Sequence, residues 1–159
     1  MSGFRTGARL ALDWGQARIG VASCDPLGTL AYPVETIANA ADETAVLARL
    51  TALVAEYEPI EFVMGLPRHL AGVEGAAAKG VRERAALLAA RFPDIPVRLV
   101  DERLTTVVAS QQMRAAGRSS KRQRSVIDQA AAVAILTSAL ATERNTGRPA
   151  GELITGKDA

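Results

Sequence analysis

The residues in this chain best suited to chemistry are carboxylates placed where secondary-structure elements should begin or end. Asp13 closes the apolar run of residues 8–14 (ARLALDW), Asp101-Glu102 follow the run of residues 96–100 (PVRLV), and Asp128 lies near the start of an apolar helical stretch. In an open α/β sheet the functional crevice tends to lie outside the carboxyl ends of parallel strands. Carboxylates gathered there repel one another and raise each other's pKa unless cations offset the charge. An all-oxygen set suits Mg²⁺ or Mn²⁺. Zinc would prefer Cys and His, and the chain has one of each, Cys24 and His69, far apart in sequence. Two such cations roughly 3.5–4 Å apart support in-line attack of water on a phosphodiester, with no histidine base required.

Each acid also has a local explanation. Asp13 before Trp14-Gly15 can cap a turn. Ser125 and Asp128 have capping-box spacing, and an acid in a first helical turn suits the helix dipole. Against that, Asp128 shares a helical stripe with Ala131, Ala132, Ile135 and Ala139, which aims its carboxylate at the sheet and lets the helix approach closely. Strand alternation allows only one of Asp101 and Glu102 to face Asp13. The longer reach of Glu102 favours it as the metal ligand, while Asp101 remains an alternative ligand, a turn cap or a partner for Arg103.

The elements that must position these acids follow from apolar periodicity. Residues 8–14 and 18–24 read as a hairpin around Gly15, and residues 29–37 as a third strand, placed at an edge or bulged because Pro33 lacks a donor. A helix capped by Asp42 runs to Tyr57, a strand covers residues 60–66, and an Ala-rich helix spans roughly residues 73–91. The strand at 96–100 precedes a helix over 105–116, stopped at Gly117, and a final helix from about Val126 to Glu143 capped by Ser125. This order predicts an α/β domain over residues 1–145, with a mixed five-stranded sheet and helices on both faces, followed by a mobile polar tail over 146–159.

Composition sets the class. A chain of 159 residues, 48% hydrophobic and 23% charged, fits one domain. The single cysteine permits no intrachain disulfide, no signal-peptide pattern opens the chain, and no run approaches the roughly 18 apolar residues of a membrane span, so a cytoplasmic protein without a membrane partner is expected. The net charge of +2 says little by itself. Its distribution says more, because Arg114 to Arg124 (RAAGRSSKRQR) carries five basic residues and no acid. That stretch reads as a solvated loop or as a surface for a phosphate backbone.

The motifs together resemble the YqgF/RuvX family of Holliday-junction-resolvase-like nucleases. The likeness rests on Leu12-Asp13-Trp14-Gly15-x-x-Arg18-Ile19-Gly20-Val21-Ala22, on Gly65-Leu66-Pro67 with Gly72, on Asp101-Glu102-Arg103-Leu104-Thr105-Thr106, and on Asp128-Gln129-Ala130-Ala131-Ala132. Any one of these is weak, but four in order across nearly the whole domain are specific. The loop Arg68-His69-Leu70-Ala71-Gly72 departs from the Asn and Met usual there in the family. The resemblance implies a ribonuclease H-like fold, catalytic metal-binding acids at Asp13, Glu102 and Asp128, and processing of precursor small-subunit ribosomal RNA. It gives Arg18, Arg103, Lys121, Arg122 and Arg124 as nucleic-acid contacts, and leaves His69 as a solvated loop residue or a proton-transfer aid.

Three other functions share parts of this pattern. A resolvase of branched DNA would use the same acids and would need a symmetric homodimer. A non-cleaving binding module for structured RNA or single-stranded or branched DNA would not need them. An ATPase of the actin type needs two such domains around a cleft, and this chain has room for one; a G-x-x-x-x-G-K-[ST] phosphate loop is also missing.

Overall fold

The computed structural model describes residues 3–39, 42–67, 74–101 and 121–155, with backbone only for 121–125. Glu102, Arg103, His69 and the helix expected over 105–116 lie outside the described residues. The described elements are β1 (Arg9–Trp14), β2 (Arg18–Cys24), β3 (Ala31–Ala38), α1 (Glu43–Tyr57), β4 (Glu61–Leu66), α2 (Ala76–Arg91), β5 (Val97–Asp101), α3 (Lys121–Thr146) and β6 (Glu152–Ile154). They form one mixed sheet in the order β3-β2-β1-β4-β5-β6. The β1–β2–β3 meander is antiparallel, β1, β4 and β5 run parallel, and β6 is antiparallel to β5. Pro33 is tolerated because β3 is an edge strand and its register shifts beside Val21 and Ala22.

Alternation along the strands divides the core. Leu10, Leu12, Phe62, Met64 and Leu99 point to one face and bury against α1 and α2 through Val46, Leu50, Leu53, Ala85 and Leu88. Ala11, Ala22, Val63 and Val100 point to the other and meet α3 through Ala132, Ile135, Leu136 and Ala139. The small strand residues on this second face let α3 lie close to the sheet. By length and hydropathy alone Val126–Thr146 qualifies as a membrane span, which the sequence reading did not expect. Here its apolar stripe faces the sheet and its end carries the buried Glu143, as in a helix packed within a core.

Two details correct the sequence expectation. Among the described residues the sheet has six strands, not five, and the sixth lies inside the stretch read as a polar tail. Gly151 makes this possible: it sits at φ 85°, and a Cβ there would lie 2.4 Å from the Leu99 carbonyl oxygen, so only glycine lets the chain turn in against β5 and bury Ile154. In addition, α3 begins at Lys121, so Ser125 lies within the helix and is not its cap. Lys, Arg and Gln are good helix formers, and the Lys121-Arg122-Gln123-Arg124 run extends the helix past the local capping signal.

The far end of the sheet is tied by a buried ionic cluster. Arg9 and Glu61 are register partners at the start of β1 and β4. Glu143 from α3 accepts from Arg5 at 2.7 Å and pairs with Arg9 at 3.2 Å, while Arg5 also reaches Glu61 at 2.9 Å. Burial pushes the Glu143 carboxyl up, but hydrogen bonds and charge from Arg5 and Arg9 outweigh it and hold the group at about 2.

Candidate active site

Asp13 is the fifth residue of β1 and its direct partner on β2 is Gly20, so the two share a sheet face about 4.5–5.5 Å apart at Cα. That face is the one covered by α3. Gly20 has no side chain for a structural reason: a Cβ there would lie 2.0 Å from the Asp128 carbonyl oxygen and 3.1 Å from the Asp128 Cβ. The backbone of α3 at Asp128 therefore rests directly on β2, one strand away from Asp13. Two carboxylates distant in sequence are thus brought to one sheet face at the end where the parallel strands finish.

Asp128 is the eighth residue of α3, too deep to cap its start, which removes the capping explanation. Its carboxylate instead accepts a hydrogen bond from Arg18 Nε at 2.6 Å, and both side chains remain partly exposed. Arg18 opens β2 after a turn closed by Gly15 N–H donating to the Arg18 carbonyl at 2.9 Å, with Asn39 Nδ2 donating to the Gly15 carbonyl at 2.7 Å. One residue further along α3, Gln129 Nε2 donates to Thr36 Oγ1 at 3.0 Å, and Thr36 pairs with Gly20 across β2 and β3. Both contacts fix α3 against the meander around Asp128.

Asp101 is placed differently. It pairs with Leu66 on β4, and Leu66, Met64 and Leu99 belong to the face covered by α1 and α2. Asp13 belongs to the opposite face, so Asp101 does not share a face with it. Cys24 is buried in the core with its thiol pushed up by burial, as expected of a packing residue. Among the described residues no cluster of three metal-ligating side chains forms. The Asp13 and Asp128 carboxylates are oxygen donors of the kind that Mg²⁺ or Mn²⁺ takes. Lys121, Arg122 and Arg124 lie on the first turn of α3, ahead of Asp128 on the same helix.

The chain matches the RuvX family, described as Holliday junction resolvase, over residues 7–142. It belongs to that family. Among curated relatives, a protein of Streptomyces coelicolor is 62% identical over 148 residues, covering 93% of this chain and 88% of its own. One of Thermobifida fusca is 52% identical, covering 96% of this chain and 98% of its own. Both carry the name "Putative pre-16S rRNA nuclease". Among solved structures, Thermus thermophilus RuvC in complex with a Holliday junction substrate aligns with a TM-score of 0.59 over 90% of this chain and 99% of that one. At 17% identity that likeness establishes the fold, which is ribonuclease H-like, as the sequence motifs implied.

Gly20 is the site residue that the reading of single motifs left without a role. Its signal was present, because an isolated glycine inside a strand marks a close backbone approach.

Proposed function

We propose that this nuclease works with divalent cations held by Asp13, Glu102 and Asp128, and that its substrate is the precursor of small-subunit ribosomal RNA. The observation that carries the metal reading is the seating of Asp128 on Gly20, the strand partner of Asp13, which gives two carboxylates a common face at the ends of the parallel strands. Strand alternation supports Glu102 over Asp101 as the third ligand, since Asp101 belongs to the other face. When bound, Mg²⁺ or Mn²⁺ supplies water activation and charge stabilisation at the leaving oxygen.

The chain's own residues have separate tasks. Arg18 fixes the rotamer of Asp128 and offsets its charge. Its position at the site edge also suits contact with the substrate backbone. Arg103, Lys121, Arg122 and Arg124 provide further cations for backbone binding without base selection. The RNA assignment is supported by the names of the relatives, while the family description favours a DNA junction as the competing substrate. RNA trimming places no requirement on a dimer, whereas junction resolution needs two symmetric sites. The proposed location is the cytoplasm.

The test is cleavage of a structured precursor RNA, single-stranded DNA and a four-way DNA junction in Mg²⁺, Mn²⁺ or EDTA. Metal-dependent cutting of the RNA that Asp13→Asn abolishes is expected. Preference for the junction, together with a dimer in solution, would replace the RNA assignment, and binding without cutting under every metal would make the chain a binding module.

A further inference from the structure

A cleft of about 370 Å³ opens beside Asp13 on the side of the sheet where α2 packs. Trp14 and Gln16 from the β1–β2 hairpin form one wall and Gly65 of β4 lies in it, while Ala77, Gly80 and Arg84 of α2 face them. Gly15, Gly65, Ala76, Ala77 and Gly80 in the lining carry little or no side chain, which lets a ligand approach the backbone there. Among the described residues Arg84 is the only arginine lining the cleft. It is half-buried, and it takes part in none of the ion pairs formed among the described residues.

Its neighbour Arg82 shows the contrast, being held by Glu74 at 2.7 Å and by Glu152 at 2.8 Å on the outer surface. Gly80, one turn before Arg84, gives that side chain its room. A Cβ on Gly80 would meet Arg84 Nη1 at 3.0 Å, so the guanidinium lies back along the helix over the glycine. A guanidinium only donates hydrogen bonds, and its planar fork matches a phosphate. A half-buried cation with no carboxylate partner among the described residues, in a cleft whose edge at the end of β1 includes Asp13, is suited to an anionic ligand that runs past the strand end towards the acids on the other face.

We propose that this cleft is a substrate subsite that receives the phosphodiester flanking the scissile one, with Arg84 as its phosphate ligand and Gly80 as the residue that keeps Arg84 in place. The proposal rests on the nuclease reading for its substrate, but binding tests it independently of cutting. The probe is a fluorescein-labelled structured precursor RNA, titrated by anisotropy with the Asp13→Asn protein between 50 and 300 mM NaCl (roughly the range over which phosphate contacts are lost). Adding Arg84→Gln should weaken binding several-fold and lower the slope of log K against log salt by roughly 0.7–0.9, the loss of one phosphate contact.

Arg84→Lys should restore the slope more than the affinity, because a point charge replaces the fork. Arg49→Gln removes the same charge from a residue already paired with Glu35 and should leave the slope unchanged. In active protein, Arg84→Gln should raise KM far more than it lowers kcat. Unaltered affinity and slope in a variant that melts like its parent would overturn the subsite, as would an equal effect from Arg49→Gln. A wild type that fails to cut while Arg84 still governs binding would remove the nuclease reading and leave the subsite standing.

Discussion

Replacing Gly20 by alanine tests whether the fold positions the acids as described. The new Cβ would start 2.0 Å from the Asp128 carbonyl oxygen, and contacts under 3.0 Å do not persist. The obstacle is helix backbone, so α3 must move away from β2 by about 1 Å. Overpacking of this kind costs about 1–3 kcal/mol in stability. For catalysis, a displacement of about 1 Å at a reacting group is worth roughly 100-fold in rate, or about 2.7 kcal/mol of barrier. Single-turnover cleavage well below the melting temperature separates the two effects, because the loss of rate then persists in folded protein. Glutamate adds one methylene, about 1.5 Å of reach. Gly20→Ala/Asp128→Glu should therefore recover part of the lost rate, although Asp128→Glu alone reduces it. Wild-type cleavage by Gly20→Ala would refute the reasoning that links helix seating to catalysis.

Other outcomes follow from the same geometry. Arg18→Gln removes the hydrogen bond that orients Asp128 and should cost about 10–100-fold in activity or metal affinity, read as a shift in the Mn²⁺ concentration for half-maximal cleavage. Asp101→Asn should stay within a few-fold of wild type while Asp128→Asn loses nearly all activity, because Asp101 does not share the face of Asp13. At the other end of the sheet, Glu143→Ala strands Arg9 in the core and should destabilise by about 3–5 kcal/mol in denaturant unfolding. The folded Glu143 carboxyl at about 2 lies below its ordinary 4.5, so its stabilisation is complete above pH 4.5 and is lost as pH falls towards 2. That contribution is on the order of 3 kcal/mol, and acid unfolding of Glu143→Gln should show a correspondingly weaker pH dependence over that interval.

The parts of the fold legible in the sequence were those governed by local pattern. Alternation gave the hairpin and the parallel strands, Asp42 does cap α1 by accepting from the Thr44 amide, and Pro33 marked an irregular edge strand. The inward stripe of α3 was legible because alanine and isoleucine recur at helical spacing, and Ala132, Ile135 and Ala139 are buried as that spacing predicts. Features set by distant partners were not legible. The strand β6 is three residues long, and its pairing depends on Gly151 fitting beside Leu99. Arg18 and Asp128 are 110 positions apart, and no local signal couples them. Ser125 shows the converse failure, since a good capping sequence was overridden by the helix-forming run before it.

The most direct test of the central claim is a Mn²⁺ titration followed by electron paramagnetic resonance, performed on the wild type, Asp13→Asn and Asp128→Asn with cleavage measured in the same samples. Wild type should bind Mn²⁺ and cut, and each substitution should weaken binding and abolish cutting together. Undiminished Mn²⁺ binding in both variants, or full cleavage by either, would contradict the assignment of these two carboxylates as the metal-holding pair.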